Sequence, residues 1–310
     1  MDAFYAKVIN QLLGVGIFGK TMKILIVCGG DTDKEVFYRS GFRDVVVSNL
    51  DTRMTGTEFD PFAWSFQDAE HLTFADDAFD FCIVHSGLHH CYSPHRALLE
   101  MYRVAHKGIL LFEPYDNFLT RLGMRVHIGQ EYEHAAVFYN DCSYGGVKNS
   151  WIPNYVYRWT ETEIIKTITA FAPHAHHQFK FIYEMRIPWP QLKGRKKKLA
   201  FYAVFLSIPI LKMISMMFPR QSNNFAAVIL KPKLPHDLHP WLLWEGNQLK
   251  LNQPWFADRY GTKTVLDVDN TPGYHSVSAQ KWMSRCKRIF QWCHSHNKKS
   301  QIVHIHGFIK

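Results

Sequence analysis

No CxxC pair and no regular spacing links the six cysteines, Cys28, Cys82, Cys91, Cys142, Cys286 and Cys293, which excludes a disulfide scaffold. Two of them fall inside apolar strand-like runs, and the set reads as reduced, mostly buried thiols. Heptad repeats are absent, so the chain is not a coiled coil. Charged residues make up only 20% of the 310 while 47% are hydrophobic and 15% aromatic, which excludes a disordered chain or a collagen-like fibre. A basic segment is missing from the N-terminal stretch, whose apolar residues are broken by Gly14, Gly16 and Gly19. That stretch does not read as a signal peptide, and the expected location is the cytoplasm. The final 30 residues contain no Asp or Glu but seven Lys or Arg, and five of the six residues from Lys193 to Lys198 are basic. Outside these two segments the chain has 24 basic against 27 acidic residues. The net charge of +9 is therefore local, and nucleic acid is not the expected partner.

From about Lys23 the chain alternates short apolar runs with helical segments, the pattern of βα units on a largely parallel sheet. Strands are expected at Lys23 to Val27, Val45 to Ser48, Ala63 to Gln67, Phe79 to His85 and Gly108 to Phe112. Ser93 and Pro94 start a helix with Leu98, Leu99, Met101 and Val104 at helical spacing. Thr160 and Glu163 form a capping box for a helix reaching about Phe171. Phe179 to Arg186 and Phe225 to Leu230 are two further strands. Gly246 and Asn247 are a hairpin turn between Leu242 to Glu245 and Gln248 to Leu251. The expected organisation is a domain over 1–233, with an apolar helical insertion at 193–220, and an appendage over 234–310.

In a doubly wound sheet, ligands bind outside the carboxyl ends of the strands. Four such ends carry polar or glycine residues here: Cys28, Gly29, Gly30 and Asp31; then Asn49, Leu50 and Asp51; then Asp68 and Ala69; then His85 and Ser86, running on to His90. A glycine turn opening a helix offers backbone N–H groups to a ligand. An acceptor at the second end suits a ribose hydroxyl, and Asp68 with an adjacent backbone N–H suits an adenine edge. Together these suit a nucleoside cofactor. The turn lacks GxGxxG, which disfavours a nicotinamide dehydrogenase.

The stretch from Gln67-Asp68-Ala69-Glu70-His71-Leu72-Thr73-Phe74 to Asp77-Ala78-Phe79-Asp80, with Leu88-His89-His90, Arg96 to Val104 and Gly108 to Pro114, resembles class I S-adenosylmethionine-dependent methyltransferases, in the group containing many small-molecule enzymes. The resemblance covers roughly residues 23–115. It implies a Rossmann-like α/β fold, a doubly wound seven-stranded sheet with a final antiparallel strand pair, and S-adenosylmethionine as cofactor. It also implies in-line methyl transfer to an acceptor, which needs alignment above all, with a base when the acceptor is a hydroxyl. His89, His90 and Glu113 are the candidate catalytic residues. Two positions depart from the family. Ile24 to Thr32 reads ILIVCGGDT where DVGCGTG is usual, and Asn49 replaces the usual acidic residue.

The acceptor pocket is expected from residues 115–159, rich in Tyr and Trp, and a small molecule such as a sugar or lipid-linked glycan is the expected acceptor, methylated on oxygen. The apolar run Leu199 to Phe218 is interrupted by Pro209 and Lys212 and reads as a broken pair of short helices. With the basic residues before it, the segment 193–218 could lie on an anionic membrane surface or form a homodimer contact. Cys293, His294, His296, His304 and His306 match no standard zinc spacing, and no metal is expected. The alternative from another class is a non-catalytic methyltransferase-like protein that binds through the insertion and tail.

Overall fold

The computed structural model describes residues 2–126, 128–187 and 198–261. Two compact units divide the chain, one made of 1–173 and 177–231 and the other of 174–176 and 232–310. The first is built on a seven-stranded sheet of order β3-β2-β1-β4-β5-β7-β6. Its strands are β1 (Ile24–Val27), β2 (Val45–Asn49), β3 (Ala63–Phe66), β4 (Phe79–His85), β5 (Ala105–Pro114), β6 (Gln178–Glu184) and β7 (Asn224–Leu230). The first five run parallel, and β7 lies antiparallel between β5 and β6. This is the Rossmann-like α/β sheet with a flanking antiparallel pair that the sequence implies.

The central strands are continuous apolar runs because both faces are covered. Ile24 to Val27 are all buried, in the order ILIV. On one face pack Leu98, Met101 and Val104 of α3 (Pro94–Val104) and Ile164 and Ile168 of α6 (Glu161–Phe171). The capping box of α6 is present: Thr160 Oγ1 accepts from Glu163 N, and Glu163 Oε2 accepts from Thr160 N. The opposite face receives Val36 and Phe37 of α2 (Asp31–Arg39) and five residues of an N-terminal helix, α1 (Ala3–Gly14). Sequence reasoning did not assign α1. Its signal is Asp2 as N-cap followed by Phe4, Tyr5, Val8, Ile9 and Leu12, a buried stripe at helical spacing.

Two expectations are corrected. The apolar insertion is not a broken pair of helices but one continuous helix, Lys198–Met217, with Pro209 inside it. A proline removes one backbone donor and kinks a helix, yet the turns on either side here stay helical. We call this helix α7, after α4 (Phe118–Arg125) and α5 (His134–Phe138). No helix among the described residues is long and apolar enough to cross a membrane. The thiols are also less enclosed than expected. Of the four described cysteines only Cys82 is buried, Cys28 and Cys91 are half-buried and Cys142 is exposed. Cys286, Cys293, the histidines after them and most of the Lys193 to Lys198 cluster lie outside the described residues.

In the second unit, β8 (Leu242–Glu245) and β9 (Gln248–Leu251) pair antiparallel across Gly246 and Asn247, both at positive φ. A short helix, α8 (Gln253–Tyr260), follows.

Candidate functional site

At the end of β1 the chain turns through Cys28, which adopts φ 55. Gly29 follows with no room for a side chain, since a Cβ there would stand 2.7 Å from Val47 Cγ1 and 2.8 Å from Ile26 Cγ2. A Cβ on Gly30, in contrast, would meet nothing within 4 Å. The turn thus packs β1 tightly on β2 while Gly30 opens α2 beside free space. Asp31 begins α2 and is exposed. Asp33 is buried, accepting from Gly30 N at 2.9 Å and Tyr5 OH at 2.9 Å, and burial pushes its carboxyl above the ordinary value.

Asn49 has work at the end of β2 that the usual acidic residue could not do. Its Nδ2 donates to Gly29 O at 2.8 Å, tying the first turn to the second strand. Its Oδ1 accepts from Asp51 N and Trp64 Nε1. Leu50 is half-buried, and Asp51 is held by Arg53 through contacts of 2.8 and 2.6 Å. Asp68 at the end of β3 accepts from Glu70 N, and its other oxygen meets Lys148 Nζ at 2.5 Å. Burial opposes ionisation of Asp68, but the Lys148 ammonium overrides it and holds the carboxyl below its ordinary value. Lys148 also pairs with Glu70 at 2.7 Å, and Ala69 between them is buried. Lys148 belongs to a segment lying across three strand ends. Arg53 stacks over the Tyr144 ring, Lys148 reaches Asp68, and Gly146 O faces His90 Nδ1 at 3.4 Å.

His85 closes β4 beneath α1: its ring stacks on Tyr5 at 4.5 Å between centroids, and its Nε2 is 3.6 Å from Asp2 Oδ2. Ser86 takes φ 55. Gly87 is obligatory, because a Cβ there would fall 2.5 Å from Cys28 Cβ. The first and fourth strand ends are therefore in direct contact. The N–H groups of the first turn are already engaged, Gly29 N with Ser48 O and Gly30 N with Asp33 Oδ2, so a nucleoside cofactor would meet the remaining lone pairs of Asn49, Asp51 and Asp68, sharing Asp68 with Lys148.

Beyond Gly87 lies the charged centre of the site. Glu113, on β5, is fully buried; its Oε1 accepts from Leu88 N at 2.8 Å and its Oε2 from His89 Nδ1 at 2.7 Å. Glu133 Oε2 stands 3.3 Å from both His89 Nε2 and His90 Nε2. Burial would favour neutral His89, but Glu113 and Glu133 outweigh it and raise its pKa to about 10. Burial likewise opposes ionisation of Glu133, yet the two imidazoles hold its carboxyl well below the ordinary range. Asn154, 2% exposed, donates through Nδ2 to His89 O and Glu133 Oε2. The sequence-derived trio is thus brought together, with Glu113 positioning His89. Glu133, Lys148 and Asn154 are additions, drawn from the segment between β5 and α6.

The same segment lines a cavity of about 950 Å3, with Arg121, Tyr132, Tyr155, Tyr157 and Arg158 among its walls. Arg158 donates to the carbonyls of Val156 and Gln130. Among the described residues no carboxylate lies within ion-pair distance of it.

Residues 26–112 match the family model described as a methyltransferase domain. No curated protein matches the chain. Among solved structures, the YcgJ protein of Bacillus subtilis is 13% identical, over 72% of this chain and 97% of that one, with a TM-score of 0.43. An S-adenosylmethionine-dependent methyltransferase of Methanosarcina mazei is 14% identical over 71% and 96%, with a TM-score of 0.42. An N-methyltransferase of Haemonchus contortus, solved with S-adenosylhomocysteine, is 12% identical over 75% and 54%, with a TM-score of 0.41.

Proposed function

We propose that this chain, whose residues 26–112 match the methyltransferase-domain model, uses S-adenosylmethionine to methylate a hydroxyl of a small, ring-bearing molecule, a sugar or a lipid-linked glycan. The cavity of about 950 Å3 carries this reading. It is large enough for a ring and a substituent, and Tyr132, Tyr155 and Tyr157 offer faces on which a ring stacks. S-adenosylmethionine supplies an electrophilic methyl group on sulfonium, which departs as S-adenosylhomocysteine when the acceptor oxygen attacks in line. The protein's part is to bring the two together and to manage the proton the hydroxyl loses.

The acceptors Asn49, Asp51 and Asp68 hold the cofactor in this reading. With His89 Nδ1 tied to Glu113, the hydroxyl proton leaves toward His90. Glu113 fixes the His89 ring. The helix α7 supports a lipid-linked acceptor: Phe205, Leu206, Ile210, Met213 and Met216 are all exposed along it, directly after the basic cluster. An anionic membrane surface matches that pairing of apolar face and positive charge.

The test is calorimetric titration of wild type and Asp68→Ala with S-adenosylmethionine, then incubation with methyl-labelled cofactor and a panel of sugars, lipid-linked glycans and amines. Binding weakened at least tenfold by the substitution, with label in a base-stable ether of a hydroxyl acceptor, is expected. Label on nitrogen alone overturns oxygen methylation, and no cofactor binding overturns the whole reading.

A further inference from the structure

Both imidazoles at the end of β4 have Nδ1 committed and Nε2 converging on one oxygen. His89 Nδ1 is tied to buried Glu113 at 2.7 Å, and His90 Nδ1 to Gly146 O at 3.4 Å. A ring whose Nδ1–H is donated to an acceptor presents the Nε2 lone pair outward, as histidine ligands of metals do. Glu133 Oε2 lies 3.3 Å from each Nε2. For bonds of about 2.0 to 2.1 Å, two ligand atoms of a tetrahedral zinc site stand about 3.3 to 3.4 Å apart. The two separations have that length, and all three atoms lie within 4.8 Å of one another.

Satisfying this triad with protons alone is awkward. A second proton on each ring makes two imidazolium cations whose centroids are 4.7 Å apart. One divalent cation satisfies both Nε2 atoms and the carboxylate together. A further observation comes from Asn154: the amide that donates to Glu133 Oε2 carries a buried Oδ1 with no hydrogen-bond partner among the described residues. A buried orphan acceptor calls for a partner, which a water on a bound cation would supply.

We propose that His89 Nε2, His90 Nε2 and Glu133 Oε2 form a binding site for a divalent cation of the zinc class, with Glu113, Gly146 O and Asn154 as its supporting shell. Two nitrogens and one carboxylate favour Zn2+ or Co2+ over Mg2+, which takes oxygen ligands. Three protein ligands leave a fourth position open, as in catalytic rather than structural zinc sites. The use of that position rests on the proposed oxygen methylation: a hydroxyl bound there loses its proton more readily, a task otherwise left to His90. Cation binding itself does not depend on that reading.

The test uses the full chain, stripped with a chelator and titrated with ZnCl2 without cofactor or acceptor, with bound metal counted after desalting. His294, His296, His304 and His306 add background, so the readout is the difference between proteins. Wild type should hold one more equivalent of zinc than Glu133→Gln or His90→Ala. Glu113→Gln should weaken that equivalent about 10- to 100-fold. Co2+ should give the intense visible bands of a tetrahedral site in wild type only, and Mg2+ should not compete. Equal zinc content and equal cobalt spectra in wild type and Glu133→Gln overturn the proposal. Should His90→Ala fail to fold, the near-isosteric Glu133→Gln, checked by circular dichroism, decides alone. A parallel titration with S-adenosylmethionine separates the readings: zinc without cofactor binding leaves the site and removes the enzyme, and the reverse removes the site only.

Discussion

A single buried carboxylate organises the charged centre. Glu113 is fully buried between a backbone N–H and an imidazole, and removing one partner of a buried pair costs more than a surface pair because the other charge stays behind. Glu113→Gln keeps the size and one acceptor but loses the charge, and should destabilise the metal-free protein by about 3 kcal/mol. The pH dependence has a definite sign. The pKa of His89 is raised from 6.5 to about 10 by Glu113 and Glu133, against the effect of burial. Its contribution to stability is complete below pH 6.5 and is lost as the pH rises toward 10. Urea midpoints in chelator at pH 6 and pH 9.5 should therefore fall more for wild type than for Glu113→Gln. Equal falls would mean that His89 titrates normally. His89, His90 and Glu113 could be singled out from sequence because they follow strand-like runs, where chain direction alone puts them at one sheet edge. Glu133, Asn154 and Lys148 have no such local mark. They reach the site only because the segment after β5 folds back over the strand ends, a tertiary event with no periodicity to announce it.

At the level of elements, apolar runs and caps carried most of the information. The β4 strand, the Thr160 capping box and the turn at Gly246 fall where pattern alone puts them, because burial on both faces, a side-chain cap and a positive φ are each dictated by local residues. Pro209 misled for an instructive reason: a proline costs a helix one donor, and the apolar residues on both sides of it continue the helix across that loss. The helix α1 was masked by the glycines that follow it, although Asp2 marks its start by accepting from Phe4 N and Tyr5 N at 3.0 and 3.2 Å. Asp2 does more than cap. It sits against His85 and Arg186, and the nearby His85 ring, with Tyr5 N and Arg186, holds its carboxyl far below the ordinary 3.8 despite burial. A depressed carboxyl stabilises above the unfolded value and ceases to do so as the pH falls below it. Asp2→Ala should cost about 1 kcal/mol at pH 7 from the cap alone. The difference from wild type should shrink in acid. Amide exchange along Ala3 to Gly14 should quicken in the variant at pH 7, and unchanged exchange would show that α1 is held by its buried stripe only.

For the molecule as a whole, the decisive asymmetry is one of charge and exposure. Apart from its two basic segments the chain has slightly more acidic than basic residues, so an anionic surface would repel most of it. The basic segment from Lys193 to Lys198 runs directly into α7, whose exposed face carries Leu206 at 74% and Met216 at 83% exposure. Exposed apolar side chains gathered along one helix support the membrane contact proposed above. Each Lys or Arg near an anionic bilayer contributes about 1 kcal/mol, within a Debye length of the surface. Attraction should therefore orient the chain with α7 toward lipid, and burial of its face should hold it there. Vesicles containing phosphatidylserine should sediment the protein, neutral vesicles should do so weakly, and about 0.5 M salt should release most of it. Leu206→Glu with Met216→Glu should abolish binding and leave the melting temperature nearly unchanged, since neither side chain packs in the core. Soluble acceptors would then be methylated as before while lipid-linked ones would not. Undiminished vesicle binding by the double variant would assign the membrane contact to another part of the chain.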